Sequence, residues 1–123
     1  MREILFRGKQ FTEDEWIYGY VTNVDGGFST MIDLENTEDV VHSETIGQYT
    51  GLTDKNSRKI FEGDIVELHF SGARGVVIFD KGCYMIEVHA FGRTVRNIIG
   101  EYDKDVLEII GNIHDNPELL KGE

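Results

Sequence analysis

Cysteine is the residue type best suited to nucleophilic chemistry, and this chain has one, Cys83, with His89 as the nearest downstream base. The run that joins them alternates in the way that is typical of a β-strand. Because six residues of an extended strand span about 20 Å, the thiol and the imidazole cannot form a catalytic pair. A single cysteine also excludes an internal disulfide and a cysteine-based metal site. We therefore interpret Cys83 as a small, half-buried thiol within a strand.

Metal binding is the next chemistry that the residue types could support. The four histidines, at positions 42, 69, 89 and 114, show none of the short spacings that place two imidazoles on one ion. One acidic segment resembles a calcium loop, with oxygen-bearing side chains at its first, third, fifth, seventh and twelfth positions: Asp33, Glu35, Thr37, Asp39 and Glu44. Glu38 replaces the glycine that such a loop needs for its sharp turn. We expect a solvated loop here, no metal site and no cofactor.

Three aromatic residues, Trp16, Tyr18 and Tyr20, alternate along one predicted strand and therefore share one of its faces. Such a row could stack nucleic-acid bases, but stacking surfaces are normally interleaved with lysine and arginine. The neighbours in this chain are acidic: Glu13, Asp14, Glu15 and Asp25. We therefore interpret the row as packing in the core or at an interface.

The elements that position these residues are short runs of period-two alternation separated by turn residues. At 123 residues and 40% hydrophobic, the chain is long enough for a single domain, 1–123, with its own core. We predict a mainly β fold: a small antiparallel barrel or sandwich with an SH3-like meander and a short C-terminal helical turn. The predicted strands are 2–7, 16–24, 28–34, 40–42, 46–52, 65–70, 75–80, 83–91, 93–99 and 106–113.

Two features of this fold can be predicted residue by residue. Period-two placement in the longest strands predicts a buried set of side chains: Leu68, Val77, Ile86, Val88, Leu107 and Ile109. Gly63 lies in the tight turn between Phe61 and Ile65, where we expect a positive φ. Gly47 and Gly51 also occupy positions that we expect to need special backbone angles or close packing.

The charge balance excludes whole classes of partner. Twelve basic residues stand against 23 acidic ones, a net charge of −11. Because non-specific affinity for nucleic acid or anionic lipid comes from lysine and arginine, we expect no direct nucleic-acid binding and no membrane binding. The one local basic cluster is Lys55, Arg58 and Lys59. No apolar run exceeds four residues, which is too short for a transmembrane helix.

Several stretches together are similar to the YopX family, small proteins encoded by bacteriophages and prophages. The similarity includes the segments Arg2–Lys9, Glu15–Tyr20, Leu107–Ile113 and Asn116–Leu120. Its most specific part is the segment Glu44–Leu52, which continues through Asp54–Asn56 and Lys59–Val66. Residues 67–104 match the family only loosely.

The resemblance implies a mostly β fold with an SH3-like element, in a phage-encoded protein that acts in the bacterial host cytoplasm. It supplies no catalytic, cofactor-binding or metal-binding residues. The glycine-containing match indicates a stiff, irregular strand, on which we predict a partner-contact surface of four residues: Gln48, Tyr49, Thr50 and Asp54. The alternative is that this segment is purely structural, a bulged corner that closes the barrel.

Three functions remain open, and the first is favoured. It is a non-enzymatic protein-interaction module that binds an unidentified phage or host protein, with a homo-oligomer left open. The second is an acidic mimic of nucleic acid that blocks a host DNA-binding protein, which requires the excess charge to lie on one face. The third is an enzyme whose site forms only in the fold, from carboxylates that the meander brings near one another: Asp64, Glu67 and Glu87.

Overall fold

A computed structural model describes residues 3–120, and over that range the protein is mainly β, as the alternation predicts. The strands are β1 (Phe6–Lys9), β2 (Trp16–Asn23), β3 (Phe28–Asp33), β4 (Glu38–His42), β5 (Gly47–Thr53), β6 (Lys59–Phe61), β7 (Asp64–Leu68), β8 (Arg74–Asp80), β9 (Cys83–Ala90), β10 (Arg93–Ile98) and β11 (Leu107–Asn112). Short 3-10 helices span Ser43–Thr45, Ile99–Glu101, Lys104–Val106 and Pro117–Leu120. No helix among these residues is long and apolar enough to cross a membrane.

The predicted strands agree with the observed ones except at a few ends, and β6 (Lys59–Phe61) was not predicted as a strand. The first was predicted over 2–7, whereas β1 is Phe6–Lys9, and Arg2 lies outside the described residues. Pairing with β2 decides the difference, because Lys9 lies opposite Trp16 in the register. Similarly, β4 extends back to Glu38, which lies opposite Ile32 of β3. Ladder pairing with a neighbour therefore overrides local polarity at these ends.

Contacts divide the chain into two compact units, residues 1–49 and 50–123. We call them the first unit and the second unit. Strand β5 begins in the first unit and ends in the second. The prediction of one domain over 1–123 is not tested by this division and stays a prediction.

The first unit contains the antiparallel strands β4, β3, β2 and β1 of a six-stranded sheet in the order β4-β3-β2-β1-β5-β6. The chain also returns to β4 beyond the end of β1, because Gln10 bridges Val41 and the N–H of Phe11 donates to the carbonyl of Val40 at 2.9 Å. Gly8 permits close packing here, since a Cβ on it would lie 2.8 Å from the Met31 sulfur. Met31 and Val41 are fully buried. The apolar packing of this unit is therefore small and depends on a glycine.

The second unit contains a five-stranded antiparallel sheet in the order β10-β9-β8-β7-β11. Three consecutive strands, β7 to β9, form the meander that the hairpin spacing predicts over residues 63–88. Strand β10 adds a fourth, and β11 pairs with the other edge of β7. The SH3-like character of this meander stays a prediction. The C-terminal helical turn is confirmed as Pro117–Leu120, and the carbonyl of Leu119 accepts a hydrogen bond from Arg74 at 3.1 Å.

The core of the second unit confirms the period-two prediction. Its buried cluster consists of Ile60, Val66, Leu68, Val77, Ile86, Ile99, Leu107 and Ile109. Val88, the remaining predicted core residue, is partly buried and packs against this cluster. The alternation therefore identified the buried face of each long strand correctly.

The turn at Gly63 has the predicted positive φ, 93°. The Gly63 N–H donates to the carbonyl of Val77, and the Gly63 carbonyl accepts from Ile113, so three strands meet at this turn. Gly51 also has a positive φ, 89°. Gly47 is buried in β5 without a positive φ, and close packing at this position stays a prediction.

Candidate protein-interaction site

Three rings in the first unit form a half-exposed cluster, which we call the aromatic cluster: Phe11, Phe28 and His42. The rings of Phe11 and Phe28 meet edge to face, with centroids 4.6 Å apart. His42 completes the triangle at 5.3 Å from Phe11 and 5.6 Å from Phe28. These distances lie in the range of favourable aromatic pairs.

Strand pairing brings the three rings together. Phe28 and His42 lie opposite each other in the β3–β4 register, so their side chains share one face of the hairpin. Phe11 follows β1 and is held beside β4 by its backbone bond to Val40. A hydroxyl pair, Ser29 and Ser43 at 2.7 Å, fixes the same end of the hairpin. Two of the three rings are therefore carried by paired strands, and the third, Phe11, lies in a turn that is hydrogen-bonded to β4.

The cluster is accessible and its surroundings are acidic. Phe11 is 49% exposed and Phe28 is 47% exposed. Residues 1–49 contain ten acidic and three basic residues, a formal charge of −7, whereas residues 50–123 carry −4. Of the three bases, Arg7 is buried and Lys9 is half-buried, and both lie against the Trp16 ring. Exposed aromatic rings in a negative field are suited to binding aliphatic and cationic side chains.

The row of Trp16, Tyr18 and Tyr20 is more exposed than core packing would allow. The Arg7 guanidinium lies 4.6 Å from the centroid of the Trp16 ring and covers it in part. Tyr18 and Tyr20 are both exposed. Core packing is therefore wrong for the two tyrosines, because their face of β2 points outward, and an interface role for them stays a prediction.

The predicted contact surface at Gln48, Tyr49, Thr50 and Asp54 is mostly inside the protein. Gln48 is half-buried, and the side chains of the other three are buried. The Thr50 hydroxyl donates to the carbonyl of Ile60 at 2.9 Å, and Asp54 accepts the N–H of Ile109 at 3.0 Å. Tyr49, Thr50 and Asp54 thus do not present their side chains to a partner. A partner role for this segment stays a prediction, and its structural alternative is favoured.

The three carboxylates of the enzyme hypothesis each have a structural partner. Asp64 is buried and accepts the N–H of Phe61 at 2.7 Å, within the Gly63 turn. Glu67 lies 3.6 Å from the Arg74 guanidinium, and Glu87 binds Arg96. A cavity of about 220 Å³ in the second unit is lined by none of these carboxylates. Nothing in this geometry assembles an acid–base pair around a substrate.

The pKa of Glu87 is clearly perturbed. The hydrogen bond from Arg96 Nε at 2.6 Å lowers the pKa of Glu87, and the hydrogen bond from His89 at 2.8 Å lowers it further. The same contact raises the pKa of Arg96. Because an ion pair explains both shifts, this site stabilises β9 against β10 and is not a poised general acid.

The nucleophile and metal hypotheses also have structural outcomes. Cys83 is half-buried at the start of β9, as predicted, and His89 hydrogen-bonds Glu87 and Thr94. Asp33 uses its carboxylate to accept the N–H groups of Glu35 and Thr37, each at 2.9 Å, and so closes a turn. Within residues 3–120, no three histidine, cysteine or acidic side chains are arranged to hold a metal ion.

The family model for the YopX protein matches residues 5–121, which is nearly the whole chain. The chain belongs to the YopX family. Among solved structures it is similar to protein EF1440 from Enterococcus faecalis, with 25% identity over 98% of this chain and 100% of that one, and a TM-score of 0.50. No curated protein matches the sequence.

Membership of the YopX family confirms the resemblance drawn from the sequence segments, but it assigns no site. The aromatic cluster was not among the predicted site residues. One signal could have found part of it, because the strands predicted on either side of the acidic loop are able to pair Phe28 with His42. Phe11 lies in a polar stretch and gave no pattern, since its position depends on a bond to β4.

Proposed function

We propose that this YopX-family protein is a non-enzymatic interaction module of phage origin that binds a phage or host protein in the bacterial cytoplasm. The aromatic cluster is the observation that supports the proposal most directly. Two phenylalanines that are about half exposed, Phe28 on the β3–β4 hairpin and Phe11 held beside it, resemble the anchors that dominate binding energy at protein interfaces. The partner we infer is a protein with lysine or arginine beside an aliphatic patch.

The chemistry of the cluster supports this partner. A guanidinium or ammonium group is attracted to the face of an aromatic ring, and the formal charge of −7 on residues 1–49 adds to that attraction. The T-shaped Phe11–Phe28 pair pre-arranges the rings, so little side-chain freedom is lost on binding. Complementary charge of this kind mainly raises the association rate and falls with added salt.

The test is a quantitative capture from infected host lysate treated with nuclease, with wild-type protein, Phe28→Ala and Phe79→Ala. Phe79 is a matched control, since it is 52% exposed and pairs with Tyr84 in the second unit. We expect a basic protein to be retained by wild type and Phe79→Ala and reduced at least about tenfold by Phe28→Ala. Equal retention by all three variants would contradict a role for the aromatic cluster.

A second candidate is the acidic mimic of nucleic acid, because the negative charge is concentrated in the first 49 residues. A mimic acts through the carboxylates rather than the rings. The partner of a mimic would be a DNA-binding protein. Added duplex DNA would displace this partner from the wild-type protein, and the Phe28→Ala variant would still capture it. The same capture experiment, repeated with added duplex DNA, therefore separates the two functions.

A further inference from the structure

Strand β10 forms one edge of the five-stranded sheet, and all six of its residues are exposed. It pairs with β9 on its inner side, and no strand of the described chain pairs with its outer side. An open edge of this length is a template for another strand, because its N–H and C=O groups have no ladder partner. This surface lies within the second unit, and none of its residues belongs to the aromatic cluster.

The hairpin turn determines which backbone groups face the open edge. Phe91 and Gly92 form a two-residue turn with left-handed φ values of 54° and 72°, so Ala90 and Arg93 form the closing hydrogen-bonded pair. Hydrogen-bonded pairs then recur at every second residue. The outward groups are therefore the N–H and C=O of Thr94, Arg96 and Ile98.

Side-chain contacts agree with this assignment. Residues in non-hydrogen-bonded pairs lie closer together, and these are the pairs whose side chains meet across β9 and β10. Thr94 is 2.9 Å from His89, and Arg96 is 2.6 Å from Glu87. The contacts hold β10 firmly against β9, which leaves its outer edge ordered.

Apolar side chains are exposed along the same edge. Phe91 is completely exposed, at 101%, in a left-handed conformation that a bulky residue rarely adopts. Val95 and Ile98 are also exposed. Strand addition needs backbone hydrogen bonds for affinity and side-chain contacts for specificity. The open backbone edge supplies the first, and the three large apolar side chains beside it supply the second.

We propose that the β10 edge binds an extended segment of another protein that alternates aliphatic and carboxylate side chains. Charge argues for this occupant, because β10 carries no acidic residue and presents the exposed Arg93, in a chain of net charge −11. The other arginine of the strand, Arg96, already binds Glu87 and Asp80. A second copy fits less well. The antiparallel register that uses Thr94, Arg96 and Ile98 together places Arg96 opposite the same arginine, and like charges in opposite positions destabilise a sheet.

The test uses two capped eight-residue synthetic peptides as probes, one alternating valine with glutamate and one alternating valine with lysine. Binding to the full-length protein is followed by amide NMR. We expect the glutamate peptide to bind at least about tenfold more tightly and to slow hydrogen exchange at residues 94, 96 and 98. Equal affinities, or changes confined to other residues, would overturn the proposal.

A matched pair of variants separates the backbone edge from the side chain. Ile98 has φ −63°, which proline adopts without strain, so Ile98→Pro removes one outward N–H and keeps the fold. Ile98→Ala removes the side chain and keeps the N–H. We expect Ile98→Pro to bind the glutamate peptide at least about fivefold more weakly than Ile98→Ala, with both spectra folded.

Self-association is the remaining outcome. If exchange at residues 94, 96 and 98 slows with protein concentration and without peptide, the occupant is a second copy and the proposal is wrong. Phe28→Ala is expected to leave peptide binding unchanged. A failure of the aromatic cluster to bind a protein would therefore not affect this result.

Discussion

Two turns, Asp33–Thr37 in the first unit and Asp54–Arg58 in the second, have the same hydrogen-bond pattern. In each, Oδ1 of the aspartate accepts the N–H groups of the residues two and four positions later, all at 2.9 Å. The aspartate N–H also donates to the carbonyl of the fifth residue at 2.9 Å in both turns. The fourth residue has a left-handed φ, 68° at Asn36 and 63° at Ser57. The same local interactions therefore form the same type of turn at two places in the chain.

The two turns differ in what surrounds them. Asp54 is 0% exposed, and its second oxygen accepts the N–H of Ile109 in β11 at 3.0 Å. The next residue, Lys55, donates its N–H to the carbonyl of Leu107 at 2.9 Å. Asp33 is half-buried, and its carboxylate bonds, among residues 3–120, stay within its own turn. The aspartate turn at Asp33 therefore only closes a loop, whereas the one at Asp54 also connects its loop to β11, which is distant in sequence.

The largest expected effect tests this difference directly. Asp54→Ala leaves three N–H groups without their acceptor, two of them in a turn packed on β11, so we expect the free energy of unfolding to fall by about 3–5 kcal/mol. For Asp33→Ala we expect about 1 kcal/mol, since water reaches its turn. Urea denaturation measures both. Equal losses would show that tertiary burial adds nothing to the shared turn.

A smaller effect compares two glycines, one in each unit. Gly63 has φ 93°, so Gly63→Val is expected to destabilise by at least about 1 kcal/mol. Gly26 is the control: its φ is not positive, and a Cβ there meets nothing within 4 Å. Gly26→Val is expected to change stability by less than about 0.5 kcal/mol. An unchanged melting temperature for Gly63→Val would contradict the strain argument.

The contribution of Glu87 to the pH dependence of stability in the second unit is expected to be smaller than the effects of these substitutions. Because Arg96 and His89 lower the pKa of folded Glu87 below its usual 4.5, the unfolded state binds more protons just below that pH. The stabilisation is complete above about pH 4.5 and is lost as pH falls through the lowered pKa. The stabilisation is small, because the arginine of the ion pair is half exposed and solvent screens the charges. We expect Arg96→Gln to weaken the pH dependence of the urea denaturation midpoint between about pH 3 and 5. We expect Arg93→Gln to leave that pH dependence unchanged.

The smallest expected effect is an absence of binding. Glu35 lies in the turn of the first unit, whereas the turn of the second carries Lys55 and Arg58 and is followed by Lys59. Three charges contact too few phosphates, so we expect no oligonucleotide affinity tighter than about 10⁻⁴ M at physiological salt. Fluorescence anisotropy with labelled single and double strands measures it. Micromolar binding that weakens steeply with salt would make this turn a nucleic-acid site.

The sequence predicted the strand-rich fold well, whereas the aromatic cluster was not among its predicted site residues. Of the six core residues that the alternation predicted, five are buried and the sixth, Val88, packs against the same cluster. The alternation could not identify the burial of Asp54, because an aspartate in a polar run reads as exposed. It also could not place Phe11, which lies in a polar stretch and joins the aromatic cluster only through β4.

What the sequence determined by itself is local: the period of the strands, the positive φ at Gly63, the aspartate turns and the excess of negative charge. These depend on neighbours within a few residues, whose preferences are visible in order along the chain. The tertiary structure alone decided that Asp54 is structural, that Phe11 meets Phe28 and His42, and that β10 is an open edge. Each of these depends on strand order, which brings together residues far apart in sequence and which local preferences do not specify.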